Sequence, residues 1–241
     1  MKNYLITGVS RGLGLEIAKT IIEIGDFVFG VSRTSSPELE NLQKQYPNSI
    51  KFLNFDLTDA DNVKEKIFKE FIGLKTRLDG FVNNAAMAYD DIITNLDCTK
   101  LEQMYKVNVF APMMTTKYTI RNFLLNNVKG SIVHISSIST HTGYKGLAMY
   151  ASTKGALEAF SKNTAREWGE RGIRSNTVVA GFMETSMSST LSDEQKDRIY
   201  KRTSLKKATT LKSVAETVVF LLSDKAESIT GENICVDSGT I

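Results

Sequence analysis

Tyr150 and Lys154 stand four residues apart in Tyr150-Ala151-Ser152-Thr153-Lys154, and upstream of them an apolar run of Ile132, Val133 and Ile135 ends in Ser136-Ser137. The segment from Met149 onward reads as a helix, so residues four apart share a face and can converge on one substrate. The apolar run reads as a buried strand. A serine at the C-terminal end of such a strand opens into the crevice where open α/β sheets bind ligands. A free tyrosine ionises near pH ~10, too high to move protons at neutrality. An adjacent ammonium favours the phenolate and lowers that value. Phenol, ammonium and hydroxyl together make a tunable acid or base for interconverting a carbonyl and an alcohol. The plain alternative is a surface tyrosine beside a solvated lysine.

The N-terminus argues against that alternative. Asn3 to Thr7 form a short apolar strand, and Gly8-Val9-Ser10-Arg11-Gly12-Leu13-Gly14 follows directly. Leu13, Ile17, Ile21 and Ile24 then recur at helical spacing, and Gly25 closes the helix. Strand, glycine turn and helix form the context that makes a glycine motif believable. Glycines allow the tight turn and the close approach of a pyrophosphate, which the free N–H groups and the dipole of the helix N-terminus hold.

These catalytic and phosphate-binding segments must be positioned by the elements between them. Strands are expected at 2–7, 27–31, 50–55, 78–83, 131–136, 173–179 and 233–236. Helices are expected at 12–24, 37–45, 60–73, 100–125, 149–170, 193–202 and 211–223. The strands are apolar with little alternation, the pattern of a parallel sheet covered on both faces. Right-handed crossovers then give an α/β fold: one doubly wound (Rossmann) domain over 1–241, a seven-stranded parallel sheet flanked by helices. Pro112 falls inside the long fifth helix and is expected to kink it. Residues 181–210, rich in Ser, Thr and Met, read as a substrate lid.

Composition narrows the function classes. With 241 residues, 41% hydrophobic, one α/β domain can bury a full core. Lys+Arg 30 against Asp+Glu 27 is nearly balanced, which gives no argument for nucleic acid or a charged membrane surface. No apolar stretch reaches ~18 residues and the chain opens on its first strand, so neither a signal peptide nor a membrane helix is expected. Cys98 and Cys235 form no CxxC and read as reduced thiols in a cytoplasmic protein. His134 and His141, without clustered acids, give no metal signature.

Taken together, these motifs resemble the short-chain dehydrogenase/reductase family over nearly the whole chain. Thr7-Gly8 through Gly14 looks like its TGxxxGxG loop. Asn83-Asn84-Ala85-Ala86 is similar to its NNAG motif, with Ala86 where the family has glycine. Asn108 matches its helix asparagine, and Ser137, Tyr150 and Lys154 match its catalytic serine and YxxxK. The resemblance implies a catalytic set of Asn108, Ser137, Tyr150 and Lys154. In it, Ser137 steadies the substrate oxygen and Tyr150 exchanges a proton with it. Lys154 lowers the tyrosine pKa and holds the nicotinamide ribose, and Asn108 anchors a water behind Lys154. The family often has Pro-Gly where this chain has Ala180-Gly181, a change expected to loosen the loop beside the nicotinamide.

The cofactor expectation is NADP(H). An NAD site wants a carboxylate at the end of the second strand, and an NADP site wants cations there. Here Ser32-Arg33-Thr34-Ser35 follows that strand without an acid, and Arg33 offers a fork that suits phosphate. The cofactor-binding candidates are Gly8, Ser10, Arg11, Gly12, Leu13, Gly14, Ser32, Arg33, Asp56, Leu57, Asn84, Ala85, Ala86, Tyr150, Lys154, Gly181 and Thr185. Of these, Asp56-Leu57 is assigned to the adenine through the resemblance. Val179, through its backbone, and Thr185, through its hydroxyl, are candidate partners of the carboxamide.

Substrate candidates are His141, Tyr144, Phe182 and Met183, in a pocket to which Met87, Tyr89, Met149 and Met187 add apolar surface. His134, mid-strand, reads as a hydrogen-bonded core residue, and Ser136 should face away from Ser137. The 181–187 and 229–237 stretches look like 3-oxoacyl-[acyl-carrier-protein] reductases. An acidic carrier protein would want a basic dock, for which Lys129, Arg171 and Arg174 are the candidates. The expected reaction is reduction of a ketone or acyl thioester to a secondary alcohol. A sugar or polyol substrate, or NADPH sensing without turnover, are the alternatives. Apolar and small residues on helices 100–125 and 149–170 suggest a homotetramer, or at least a dimer.

Overall fold

The structure, a computed structural model, describes residues 1–185 and 192–241. Seven strands, β1 (Asn3–Thr7), β2 (Phe27–Ser32), β3 (Ile50–Asn54), β4 (Gly80–Asn83), β5 (Ser131–Ser137), β6 (Arg174–Ala180) and β7 (Asn233–Val236), form one sheet in the order β3-β2-β1-β4-β5-β6-β7. All pairings are parallel. The order reverses between β1 and β4, so a crevice opens at the C-terminal ends of these strands. The doubly wound fold expected from the sequence is therefore the observed one.

Helices cover both faces. On one face, α1 (Gly12–Glu23) packs against α8 (Leu211–Leu222). α1 turns Leu13, Ile17, Ala18, Ile21 and Ile22 inward, a helical stripe set by sequence spacing. Full burial of a side chain such as Ile17 or Ile21 contributes about 1.5–3 kcal/mol. α2 (Pro37–Gln45) starts where Ser36 caps the Leu39 N–H, with Pro37 in its first turn. On the other face, Ile67, Phe68, Ile72, Ala111, Ile120 and Phe123 pack on Leu5, Phe29, Phe81 and Ile132.

Three expected helices differ in detail. The 60–73 span divides into a 3-10 turn, Ala60–Asn62, and a π-wound helix, Lys64–Ile72. The 100–125 span begins earlier, at Cys98, because Asp97 accepts from the N–H groups of Thr99 and Lys100. It then divides into α3 (Cys98–Tyr105), a π-wound stretch Lys106–Phe110 and α4 (Ala111–Leu125). Pro112 has no N–H for the carbonyl of Asn108, and the chain changes winding at that point. The third, α6 (Ala148–Trp168), is followed by a 3-10 turn, and a short helix not expected from sequence, α5 (Ser139–Thr142), precedes it. Between α6 and α8, α7 spans Asp193–Arg202 behind a Ser192/Gln195 capping box. No helix of the described residues is long and apolar enough to cross a membrane.

Candidate active site

The glycine loop leaves β1 at Gly8 (φ +74°) and turns into α1 through Gly12 (φ +56°). Both angles favour glycine. A Cβ on Gly14 would stand 2.1 Å from the Gly8 carbonyl oxygen, so the close crossing of loop and helix excludes any side chain there. Arg11, at the N-cap, makes no side-chain cap bond, which leaves the first-turn N–H groups to an anion. The space above Gly12 is a cradle: the nearest atom to a Cβ built there is Thr185 Cγ2, at 3.8 Å. Thr185 thus lies beside the glycine loop.

Asn84 and Ala85 hold this loop in shape. Asn84 Nδ2 donates to the carbonyls of Thr7 and Gly8, both at 3.1 Å. Thr7 Oγ1 accepts from the N–H groups of Asn84 and Ala85, both at 3.2 Å. Thr7 was not among the sequence candidates, although its place before Gly8 was the signal. Ser32, expected at the cofactor phosphate, is buried, and its Oγ accepts from Ser10 N at 3.1 Å. It props the glycine loop from beneath. Arg11 and Arg33 are exposed at the loop's rim. Asp56 Oδ1 accepts from Thr58 N at 2.9 Å, a local turn, while Leu57 belongs to the core. Gly181 is packed tightly, since a Cβ would meet Asp237 Cα at 2.5 Å.

Three of the catalytic candidates lie on β5 and α6, which pack against each other. Ser137 ends β5, and its Oγ accepts from Ser139 N at 3.2 Å. Ser136, with alternate strand facing, is bonded to Glu158 instead, as its position in the strand predicts. Tyr150 and Lys154 share one face of α6. Lys154 is fully buried, its Nζ donates to the Ile135 carbonyl at 2.8 Å, and it lies 5.6 Å from the Tyr150 ring centroid. Burial lowers the Lys154 pKa to about 8. The Tyr150 phenol moves the other way: burial first, and then the Asp90 carboxylate, hold it above its ordinary value. The lowering expected from Lys154 is not what the structure gives: desolvation of the phenolate, with the Asp90 carboxylate, sets the direction. Asp90 was also missed; its signal was an acid shortly after the Asn84 motif.

Asn108 lies fully buried in the π-wound stretch. Its Oδ1 accepts from Met87 N at 2.9 Å, and its Nδ2 donates to the Met87 carbonyl at 2.9 Å and to Thr153 Oγ1 at 3.0 Å. The side chain thus ties the segment after Asn84 to α6.

The substrate candidates scatter more. His141 turns to Glu158, with Nε2 3.2 Å from Oε2, rather than standing as a free substrate ligand. Phe182 is half-buried with its ring 6.1 Å from that of Tyr200 in α7, and Tyr144 is half-buried. Met183 packs against the core and Met149 is buried. Tyr89 props its own loop, its hydroxyl donating to the Asn95 carbonyl and accepting from Asp97 N. Met187, with Ser186, Ser188, Ser189 and Thr190 of the expected lid, lies outside the described residues.

Lys129, Arg171 and Arg174, the expected carrier-protein dock, do not line the crevice. Arg174 opens β6, and Lys129 and Arg171 precede β5 and β6, so all three lie at the N-terminal ends of the strands. Parallel strands of seven residues put them roughly 20 Å from the crevice. Arg174 is spent on the carbonyls of Leu221, Ser223 and Ile229. His134, as expected, is core: its Nδ1 lies 3.3 Å from Asn83 Nδ2, and burial lowers its pKa to about 3. Cys98 and Cys235 are free thiols.

The chain is similar to known proteins over nearly its whole length. A family profile described as "Enoyl-(Acyl carrier protein) reductase" matches residues 8–240. The chain is 33% identical over 241 residues to the 3-oxoacyl-[acyl-carrier-protein] reductase FabG of Escherichia coli, covering 99% of this chain and 96% of that one. It is similar to the structure of ElxO with NADP bound, at TM-score 0.89 and 28% identity, with 99% and 98% of the two chains covered. A putative 2-deoxy-d-gluconate 3-dehydrogenase from Agrobacterium tumefaciens shares the fold, at TM-score 0.91 and 24% identity, with 99% and 96% covered. On the extent of the profile match and the near-complete coverage of these relatives, the chain belongs to the short-chain dehydrogenase/reductase family.

Proposed function

We propose that this chain reduces a ketone to a secondary alcohol with NADPH, and that a 3-oxoacyl thioester is its substrate class. One observation carries the reading: a fully buried lysine, anchored to the strand that ends in Ser137, shares a helix face with Tyr150. The glycine cradle, the α1 N-terminus and Thr185 fit a dinucleotide, and Arg33, with no acid beside it, suits a 2′-phosphate. Binding of NADP by the similar ElxO structure supports this choice. The thioester is supported by the FabG relatives.

When bound, the reduced nicotinamide supplies the hydride. The protein supplies the proton and the geometry. Ser137 Oγ–H donates to the carbonyl oxygen of the substrate. Tyr150, whose raised pKa keeps it protonated, gives its proton to that oxygen as the alcohol forms. Lys154, lowered to about 8, is a competent donor to the phenolate left behind, so the two opposed shifts run the proton from ammonium to phenol. Asn108 holds Thr153 and Met87 and so fixes the wall of the site; its carbonyl, denied an α-helical donor by Pro112, is the place for the water that resupplies Lys154. A homotetramer, or at least a dimer, built on α3, α4 and α6 belongs to this reading, and the half-exposed Phe110 supports it.

The test is kcat/KM for an acetoacetyl thioester against keto-sugars and cyclic ketones, followed by NADPH absorbance. Efficient turnover of the thioester is expected. Negligible turnover of it beside rapid reduction of a polar ketone would overturn the substrate class and leave the catalytic residues standing.

A further inference from the structure

Glu158 lies on α6 one turn beyond Lys154 and two beyond Tyr150, on the same face. Only 11% of its side chain is exposed. Its carboxylate collects four groups from three other elements. Ser136 Oγ donates to Oε1 at 2.5 Å and Thr140 Oγ1 donates to Oε1 at 2.9 Å. His141 Nε2 lies 3.2 Å from Oε2, and Asn233 Nδ2 donates to Oε2 at 3.0 Å. Bonds to a carboxylate are short and strong, and an enclosed carboxylate tolerates the loss of few of them.

Three of these four anchors flank Ser137. Ser136 precedes it in β5, and Thr140 and His141 follow it in α5. The single Thr140 hydroxyl proton is shared between Oε1 and the Ser137 carbonyl, which lies 2.8 Å from Oγ1. The chain is thus tied on both sides of Ser137 to the helix that carries Tyr150. We propose that Glu158 is a positioning residue: it sets the separation of the Ser137 and Tyr150 hydroxyls at the substrate oxygen. Neither its side chain nor its partners need touch substrate or cofactor. The proposal rests on the roles given to Ser137 and Tyr150 above.

A double-mutant cycle tests it. Glu158→Leu removes both oxygens at similar volume and should lower kcat roughly 10–100-fold, the scale of a small misplacement of reacting groups. NADPH affinity, measured by fluorescence titration, should change by less than about threefold, because Ser136, Thr140, His141 and Asn233 are not among the cofactor-binding candidates. Glu158→Gln retains Oε1 for Ser136 and Thr140 and should recover most of the lost kcat. In a Ser137→Ala background, Glu158→Leu should cost less than about threefold more, since residues acting as a unit are not additive. Losses that multiply, a glutamine variant as slow as the leucine one, or parallel losses of kcat and NADPH affinity would each overturn the proposal. If the leucine variant does not fold, Thr140→Val takes its place in the same cycle, with roughly a 3–10-fold loss of kcat expected. Full activity of Ser137→Ala alone would be a different result: it would remove the role of Ser137, and with it anything for Glu158 to position.

Discussion

The Lys154 ammonium donates to the carbonyl of Ile135 at 2.8 Å, two residues before Ser137 on the same strand. One bond therefore registers the helix of the proposed acid against the strand of the proposed oxygen donor. It also holds a cation in the interior, where burial lowers its pKa to about 8.

That cation costs stability. The folded pKa lies below the unfolded value of ~10.4, so the unfolded chain binds more protons between about pH 8 and 10.4, and stability rises with pH across that window. Below it the cost is constant, roughly 3 kcal/mol at 1.36 kcal/mol per unit. Lys154→Met, of similar length and without charge, is expected to raise the melting temperature at pH 7 while abolishing turnover. Calorimetry at pH 7 and pH 10 checks this: the gain should shrink at the higher pH. A variant less stable than the wild type at pH 7 would show that the Ile135 bond outweighs desolvation.

His134 gives a second pH signature with a different window. Burial lowers its pKa to about 3, against ~6.5 in an unfolded chain. The unfolded state takes up a proton below pH ~6.5 and the folded state does not, so stability falls as pH drops from there toward 3, by up to about 1.36 kcal/mol per pH unit from this group. Urea unfolding at a series of pH values should show this slope, and His134→Phe should flatten it. An unchanged slope in the variant would assign the acid sensitivity to other groups.

Arg33 should divide the two nicotinamide cofactors. A charge-assisted hydrogen bond contributes about 1.5–3 kcal/mol, or roughly 10–150-fold in affinity. Arg33→Ala should weaken NADPH binding by that factor and leave NADH almost unchanged. Equal losses for both cofactors, measured by titration, would make Arg33 a support of the fold.

The oligomer expectation narrows once burial is known. Met104, Leu157 and Ala165 serve the core, whereas Phe110 presents about half its surface at 51%. Phe110→Glu should shift the light-scattering mass toward the monomer. A wild-type protein that is already monomeric at micromolar concentration would contradict the assembly.

Much of the fold was legible because apolar strands without alternation and glycine-punctuated helices admit few arrangements. Gly8, Gly12 and Gly14 could be placed because a strand, a glycine turn and a helix follow one another in sequence; Gly8 and Gly12 take positive φ and Gly14 crosses close to the Gly8 carbonyl. The pKa of Tyr150 was not legible: its direction depends on how deeply phenol and ammonium are both buried, and spacing of four residues does not encode depth. Glu158 reads in sequence as an ordinary helix acid; only the convergence of β5, α5 and β7 makes it a hub. The basic trio was misplaced for a reason the sequence did contain. Residues just before parallel strands lie at the far end from a crevice at their C-termini.

In the proposed reaction the Tyr150 hydroxyl supplies the proton. Tyr150→Phe keeps the ring and removes only the oxygen. The most direct measurement is kcat for NADPH-dependent reduction of an acetoacetyl thioester by this variant, with the NADPH dissociation constant determined in parallel. A fall in kcat of roughly 10²–10⁴-fold is expected, with cofactor binding nearly intact. Retention of more than about a tenth of wild-type kcat would contradict it.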